Sequence, residues 1–318
     1  MSKNPLFQRI FQVSDRAQRR MIKPWTIIDP ALPPKLPAML GGEEQQFLYW
    51  LGVESDEAPL IDLGSFLGAS AASMAAGAKR AGSSAKVHSY DLFTYGPWCA
   101  PYGMGPNWQD QDDTLPWVRE QLGELAEGIV LHKGDICAQR WDGAPVGALF
   151  VDFTQNWNHH NHVCRAFLPG LKLGGVLAHQ DYVYVLCYWL HIFMERYATH
   201  YEQLSPLIMN GTAAWRYVDP LPEEAFAGDL NLRLTFSEML ALLERSIDRY
   251  EGTARDLLLL ARVRFFIHAR GPAAARVEFD EVVRNNTNEQ MAPHLELLRN
   301  ELPLWPETGG PYAGFFRE

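Results

Sequence analysis

The sequence predicts an α/β fold: a mostly parallel seven-stranded sheet that ends in an antiparallel hairpin, followed by a C-terminal helical extension. From residue 59 to residue 178, short apolar runs alternate with helical stretches, which is typical of βαβ units and a parallel sheet. Asn210-Gly211 lies between two further apolar runs and indicates a hairpin. Beyond Pro220 the pattern is helical only.

The predicted strands are short apolar runs bounded by turn-forming residues. They cover residues 60–63, 87–91, 128–132, 146–151 and 174–178, and the hairpin covers 201–209 and 212–218. The predicted helices cover 43–51 (amphipathic), 71–81, 182–199 (buried), 237–250, 253–269, 272–284 and 287–301. Ser237 and Thr253 are the expected N-caps, and Gly271 is the expected stop.

We expect three parts along the 318 residues, enough chain for one large domain with an appendage. Residues 1–42 form a basic N-terminal arm and a proline-rich connector, 43–220 form the α/β domain, and 221–318 form the helical extension. The first 24 residues carry six basic side chains and one acid. Such an arm can pack on the domain or on a neighbouring subunit, or contact an anionic membrane surface. A homo-oligomer is therefore an open expectation.

Composition restricts the partners and the compartment. A formal net charge of −10 argues against a nucleic acid as the main partner. Four widely spaced cysteines without a Cys-x-x-Cys pair indicate reduced thiols in a cytoplasmic protein, with no disulfide framework and no zinc site. The uncharged run 182–194 is too short to span a bilayer. We expect a cytoplasmic protein with no transmembrane segment.

The segment IDLGSFLGAS, residues 61–70, is the most informative feature. Gly64 and Gly68 allow a tight turn and a close approach of a ligand to the backbone. The helix that follows directs free backbone N–H groups to the same place. The pattern predicts a cradle for a nucleotide-type cofactor.

Acidic residues lie at or just beyond the ends of five successive strands, where ligands bind in an open α/β sheet. They are Asp62, Asp91, Asp135, Asp152 and Asp181. Asp91, roughly 20–30 residues after the glycine turn, is placed to accept hydrogen bonds from ribose hydroxyls. Asp135 and Ile136 suit an adenine, because a carboxylate can bind its exocyclic amine and an apolar side chain can pack on its ring.

This ordered set resembles the class I S-adenosylmethionine-dependent methyltransferases. The matching residues are the glycine turn, the acid of HSYDLF, GDI after the third strand, FVD after the fourth and the terminal hairpin. Over about residues 43–218 the chain is similar to the macrocin and mycinamicin sugar O-methyltransferases. The resemblance implies a Rossmann-like domain at 43–220 that binds S-adenosylmethionine. It also implies O-methylation of a hydroxyl on a sugar, glycan or natural product, so we expect a small-molecule or glycan acceptor.

The resemblance also implies site residues. Those for the cofactor are Asp62, Gly64, Ser65, Gly68 and Ser70 around the methionine moiety, Asp91 and Phe93 at the ribose, and Asp135 and Ile136 at the adenine. The relatives bind a metal with the acid after strand four and two adjacent acids after strand five. Here those positions are Asp152, Gln180 and Asp181, so a glutamine replaces one acid. An oxygen site for Mg²⁺ is weaker with fewer carboxylates, and metal dependence stays open.

The catalytic candidates are Asp152, His179 and Asp181. Without a metal, His179 is the expected base, because an imidazole titrates near working pH. The histidines at 159–162 could share a helix face as metal ligands, or be polar residues at a helix start. The aromatic insertion at 94–117 could be a lid over the acceptor, or a loop folded on its own rings.

Two other functions remain open. A nicotinamide dehydrogenase would also use a glycine turn and Asp91, but GSFLGAS lacks Gly-x-Gly-x-x-Gly spacing and a terminal antiparallel hairpin is unusual there. A non-catalytic protein that keeps the fold would explain Gln180 in the place of an acid.

Overall fold

The computed structural model describes residues 23–29, 34–105, 107–209, 211–285 and 288–304. Nearly all of the predicted basic arm (residues 1–22), Asn210 of the hairpin turn and the chain from residue 305 onward lie outside the described residues.

Within the described residues, seven strands form one sheet in the order β3-β2-β1-β4-β5-β7-β6. They are β1 Leu60–Leu63, β2 Val87–Asp91, β3 Ile129–Lys133, β4 Val146–Val151, β5 Leu171–His179, β6 Tyr201–Ile208 and β7 Thr212–Tyr217. Strand β1 pairs in parallel with β2 and β4, and the sheet ends in an antiparallel hairpin. This confirms the predicted fold, and it puts the reversal of strand order, where ligands bind in such sheets, beside β1.

The α-helices of the described residues account for most of the remaining regular structure. They are α1 Gly42–Val53, α2 Ala69–Ala81, α3 Leu115–Leu122, α4 Trp157–Ala166, α5 Tyr188–Arg196, α6 Leu230–Arg233, α7 Phe236–Ile247, α8 Gly252–Arg270, α9 Pro272–Asn285 and α10 Ala292–Glu301. None of these helices has the length and apolarity that a membrane span requires.

Both predicted N-caps of the extension are wrong, for a local reason. Thr235 caps α7 by accepting the Glu238 N–H, and the Glu238 carboxylate accepts the Thr235 N–H in return. This capping box puts the N-cap at Thr235, two residues before Ser237. Helix α8 starts after Glu251, and Thr253 donates to Gln290 Oε1 instead. Gly271 ends α8 as predicted, with φ of +83°.

Three further elements differ from the sequence prediction. The buried helix expected over 182–199 is only α5, because residues 182–187 form irregular turns. Strand β5 starts at Leu171, three residues before the predicted strand 174–178. Helix α1 is not amphipathic, since every residue from Phe47 to Gly52 is buried.

Helices α1 and α2 pack with almost no side-chain layer between them. A Cβ on Gly52 of α1 would lie 2.0 Å from the Met74 carbonyl oxygen of α2. Conversely, a Cβ on Gly77 of α2 would lie 2.0 Å from the Tyr49 carbonyl oxygen of α1. Glycine is therefore required at both positions for lack of space, and the pair fixes α2, the helix that follows the glycine turn.

The chain divides into two compact units. The first comprises the described residues up to 153 with 170–178 and 202–218, and it holds the sheet. The second comprises 154–169, 179–201 and the described residues from 219 onward, and it is mainly helical. The expected three-part division at 1–42, 43–220 and 221–318 stays a prediction.

Gly52→Ala should destabilise the protein, against the usual gain of about 0.5–1 kcal/mol for this change inside a helix. The new methyl group overlaps the α2 backbone, and overpacking of this kind costs about 1–3 kcal/mol. Gly42→Ala in the same helix is the matched control, because a Cβ there meets nothing within 4 Å. Urea unfolding measures both variants, and a Gly52→Ala protein as stable as the parent contradicts the packing described.

Candidate functional site

The turn after β1 rests directly on the loop after β4. Gly64 has φ of +95°, and its N–H donates to the Tyr90 carbonyl at 2.9 Å. A Cβ on Gly64 would lie 2.3 Å from the Asp152 carbonyl oxygen. Gly68 has φ of +89°, and a Cβ there would lie 3.0 Å from Val118 Cγ1. Backbone conformation and protein contacts therefore already require both glycines, whatever ligand approaches the turn.

Asp91 connects the end of β2 to this turn. Its Oδ2 accepts the Phe66 N–H and its Oδ1 accepts the Phe93 N–H, each at 2.8 Å. Phe66 and Phe93 have φ of +52° and +49°, a conformation that costs a bulky residue about 1–3 kcal/mol. Charge-assisted hydrogen bonds to the carboxylate offset that strain. Burial raises the pKa of Asp91, although these N–H groups oppose the shift.

Asp62 is fully buried directly below the turn. Its Oδ2 accepts hydrogen bonds from the hydroxyls of Ser70 on α2 and Ser89 on β2, each at 2.9 Å. Burial raises the pKa of Asp62 to about 6, the three hydroxyls of Ser89, Ser70 and Ser65 lower it, and the nearby charge of Asp91 raises it. Two of the three acids that the sequence assigned to the cofactor, Asp62 and Asp91, thus lie near each other at the same end of the sheet.

Helix α2 starts at the turn with its N-terminus uncapped. Gly68 is the N-cap residue in a left-handed conformation, and none of the described side chains accepts a hydrogen bond at the cap. The first turn carries no acid either. Backbone N–H groups at such a helix start bind anions such as a carboxylate.

The loop after β3 lies beside Asp91. The Gly134 N–H donates to the Asp91 carbonyl oxygen at 2.9 Å. Asp135 follows, exposed, with Oδ1 accepting the Cys137 N–H at 2.8 Å, and Ile136 is buried. The structure therefore brings together the predicted cofactor residues of the first three strand ends, and their cofactor roles stay predictions.

The aromatic insertion packs on the first unit. Tyr95 and Trp108 stack with ring centroids 5.9 Å apart, and Tyr102 meets the Phe66 ring edge-on at 5.3 Å. These contacts support the interpretation of a loop folded on its own rings. Trp98 differs from the other aromatic residues of the insertion, because 57% of its surface is exposed.

The catalytic candidates lie in different units. Asp152 follows β4 in the first unit, whereas His179, Gln180 and Asp181 belong to the second. Asp181 has φ of +55°. The catalytic roles of Asp152, His179 and Asp181 stay predictions.

His179 does not have the property on which its predicted role as a base depends. It is buried at 2% exposure, and burial, with smaller contributions from His160 and His191, lowers its pKa well below the ordinary value. Its imidazole is therefore neutral at neutral pH and does not titrate there. A base with so low a pKa removes protons from an acceptor less readily.

Among the described residues, no group of three or more histidine, cysteine, aspartate or glutamate side chains is arranged to hold a metal ion. Asp152, Gln180 and Asp181 include an amide and only two carboxylates, so they do not make the carboxylate-rich site that Mg²⁺ prefers. Metal binding by these three residues stays a prediction, and we derive no step through a metal.

The histidine-rich segment is the start of a helix. The Asn156 side chain caps α4 by accepting the His159 N–H at 2.9 Å. His160 is buried, its Nε2 lies 3.6 Å from Cys164 Sγ, and burial lowers its pKa to about 3. The segment is therefore a capped helix start, and a role for its histidines in a site stays a prediction.

Sequence reasoning missed two contributors to the site. Ser89 faces Asp62 in register across β1 and β2, and a polar residue inside a buried strand was the available signal. Phe66 takes a left-handed conformation to reach Asp91, and its bulk inside a glycine turn was the only hint.

The raised pKa of Asp62 predicts a pH-dependent cost to stability. The pKa of Asp62 is 3.8 in the unfolded chain and about 6 in the folded chain, so the folded chain holds the proton more tightly. The fold therefore loses stability as pH rises from about 4 to 6 and the unfolded chain ionises first. Relative to Asp62→Asn, the parent should lose up to about 3 kcal/mol of unfolding free energy between pH 4 and 7. Asp110→Asn, an exposed control, should show no such change. Equal pH profiles for the parent and Asp62→Asn would refute the prediction.

Comparison with known protein families gives a match to part of this chain. The family model of a methyltransferase domain matches residues 61–182, and no curated protein matches the chain. The O-methyltransferase NovP is 15% identical with a TM-score of 0.43, over 57% of this chain and 82% of its own. A SAM-dependent O-methyltransferase from Thermotoga maritima is 17% identical with a TM-score of 0.38, over 61% and 72%. The calicheamicin methyltransferase CalS11 is 16% identical with a TM-score of 0.41, over 55% and 77%.

The three structures are too dissimilar from this chain to support a conclusion about its activity. The matched segment, however, runs from β1 to the residue pair after β5, and so contains the glycine turn and Asp91. The sheet order around it and the terminal antiparallel hairpin agree with the family that the sequence resembles. Residues 61–182 thus match a methyltransferase domain, and the chain resembles the class I, S-adenosylmethionine-dependent methyltransferases.

Proposed function

We propose that this chain transfers a methyl group from S-adenosylmethionine to a hydroxyl of a sugar, glycan or natural product. One observation carries the proposal. The Asp91 carboxylate is hydrogen-bonded to the backbone of the glycine turn, so an acid suited to a ribose lies against a turn suited to an amino-acid carboxylate. Both belong to the segment that matches a methyltransferase domain.

The residues present fit the cofactor by their chemistry. The Asp91 carboxylate lies at the end of β2 beside the turn, where ribose hydroxyls would be further donors to its oxygens. The uncapped start of α2 offers N–H groups to the methionine carboxylate. Asp135 and the buried Ile136 would hold the adenine. Ser65 and Ser70 shape the turn around Asp62, and Phe93 fixes the orientation of Asp91.

When bound, S-adenosylmethionine supplies an activated methyl group on a sulfonium. The work of the chain is to orient the acceptor hydroxyl in line with that group, to exclude water and to receive the hydroxyl proton. Asp152 in the first unit, or Asp181 in the second, is the carboxylate proposed for the last task. His179 is proposed to orient the acceptor as a neutral hydrogen-bonding group, because burial keeps it uncharged.

We propose that the acceptor presents a flat or ring-shaped apolar face. Leu92, directly after Asp91, is 54% exposed, and Trp98 is 57% exposed, unlike the other aromatic side chains of the insertion. The Trp98 ring also lies so close to Gly96 that a Cβ there would be 2.3 Å from it, which limits the positions of the indole. A fixed, exposed indole suits stacking with a sugar or a polyketide ring.

The two other functions are less favoured. A dehydrogenase would need the dinucleotide glycine spacing that the turn lacks, and the family match is to a methyltransferase domain. A non-catalytic protein would still bind the cofactor analogue but would methylate nothing.

Binding of S-adenosylhomocysteine tests the cofactor site directly. We expect micromolar binding by calorimetry to the parent, and none measurable to Asp91→Ala, because the ribose loses its acceptor and the turn loses its clamp. Circular dichroism checks that the variant is folded, and Asp110→Ala is the exposed control that should bind like the parent. Absence of binding to the parent contradicts the proposed function.

Methyl transfer to a panel of sugars, glycosides and polyketides tests the activity, with labelled S-adenosylmethionine as the donor. With an acceptor from that panel, Trp98→Ala should raise KM about tenfold, the loss of roughly 1.4 kcal/mol of stacking, and leave S-adenosylhomocysteine affinity unchanged. An unchanged KM removes Trp98 from the acceptor site.

A further inference from the structure

Gln180 and Asp181 follow β5, and the next residue, Tyr182, is hydrogen-bonded to His191 and Ser246. We call the three buried hydrogen bonds among these residues the circuit. His191 Nε2 lies 2.6 Å from the Tyr182 carbonyl oxygen, and His191 Nδ1 lies 2.7 Å from Ser246 Oγ. The Ser246 hydroxyl also hydrogen-bonds the Tyr182 phenol. All three side chains are at most 2% exposed, and all belong to the second unit.

Proton counting fixes every donor in this circuit. Burial lowers the pKa of His191 to about 4, so the ring is neutral and carries one proton. Because a carbonyl oxygen only accepts, that proton lies on Nε2 and Nδ1 is bare. The bare Nδ1 must accept, so Ser246 donates its single proton to His191. The Tyr182 phenol must then donate to Ser246. Tyr182 is therefore held at two points, its backbone carbonyl and its side chain, by a network with no spare proton.

The circuit acts on the residue next to Asp181. Asp181 has φ of +55°, a left-handed conformation that is uncommon outside glycine, although aspartate takes it more readily than most residues. Tyr182 follows directly, and its ring lies 4.0 Å, centroid to centroid, from that of His191. Helices α5 and α7, which carry His191 and Ser246, are joined beside it by an ion pair in which Arg249, just after α7, lies 2.6 Å from Glu195.

We propose that Tyr182, His191 and Ser246 are positioning residues that hold the Gln180-Asp181 pair in place for methyl transfer. The inference rests on the proposed function for the role of Asp181. The circuit, not the local sequence, supplies the restraint, because it joins residues 9 and 55 positions apart in the chain.

Removing members of the circuit should have unequal and non-additive effects. Ser246→Ala removes two hydrogen bonds, the one that His191 Nδ1 accepts and the one that the Tyr182 O–H donates. Tyr182→Phe removes only one donor and leaves the His191 bond to the backbone. Adding Tyr182→Phe to Ser246→Ala should therefore partly rescue it, because the phenol that lost its Ser246 acceptor is gone.

Hydrogen–deuterium exchange of residues 180–187 in the full chain measures this. Ser246→Ala should raise exchange there about tenfold, Tyr182→Phe should raise it less, and the double variant should fall below Ser246→Ala. Ser205→Ala, which removes another buried hydroxyl, is the control and should leave these residues unchanged. Exchange in the double variant equal to or above that of Ser246→Ala overturns the proposal.

A second measurement keeps the proposal testable even where the Ser246→Ala chain does not fold. Nitrogen NMR of histidine-labelled parent protein at pH 7 should show His191 neutral and protonated on Nε2. A charged ring, or a proton on Nδ1, contradicts the circuit.

Kinetics distinguishes positioning from simple stabilisation. Ser246→Ala should lower kcat about tenfold while S-adenosylhomocysteine binds with parental affinity, since the proposed cofactor residues lie in the other unit. An unchanged kcat overturns the positioning role. Failure of the parent to bind S-adenosylhomocysteine would refute the proposed function instead. The exchange and NMR measurements would still test the circuit in that case.

Discussion

The hydrogen bonds from Phe66 and Phe93 to Asp91 are the interaction on which the site depends. A glycine turn without a fixed partner could take many shapes, and two aromatic residues in left-handed conformation would resist this one. The carboxylate offsets their strain and joins the ends of β1 and β2 in one arrangement. The loop after β3 is attached to the same residue through its backbone carbonyl. Three strand ends are thus organised around one acid.

Buried polar groups with defined partners recur in both units. In the first unit, two serine hydroxyls hydrogen-bond the Asp62 carboxylate, and burial raises the pKa of that carboxylate. In the second, His160, His179, His191 and His268 are each at most 2% exposed, and burial lowers the pKa of every one. A neutral histidine such as His191 holds a loop through directional hydrogen bonds without the cost of burying a charge. Such networks define one conformation more strictly than hydrocarbon packing does.

The sequence predicted the sheet, because apolar runs between turn residues locate strands. It also predicted that Asp91 lies near the residues at neighbouring strand ends, because parallel strands put their ends together. It could not predict what depends on distant chain. The Gly64 contact with the Asp152 backbone, the close packing at Gly52 and the circuit of Tyr182 with His191 and Ser246 join residues far apart. The Thr-x-x-Glu pattern of the capping box at Thr235 is present in the sequence, but Ser237 is also an acceptable N-cap residue, and the two cannot be distinguished by residue type alone. His179 looked like a base because burial cannot be inferred from a residue type.

The most direct test of the account is a crystal structure of the full chain with S-adenosylhomocysteine. The account predicts ribose hydroxyls within hydrogen-bond distance of the Asp91 carboxylate and the amino-acid carboxylate at the start of α2. A ligand bound elsewhere, or a ribose whose hydroxyls do not reach Asp91, would contradict it.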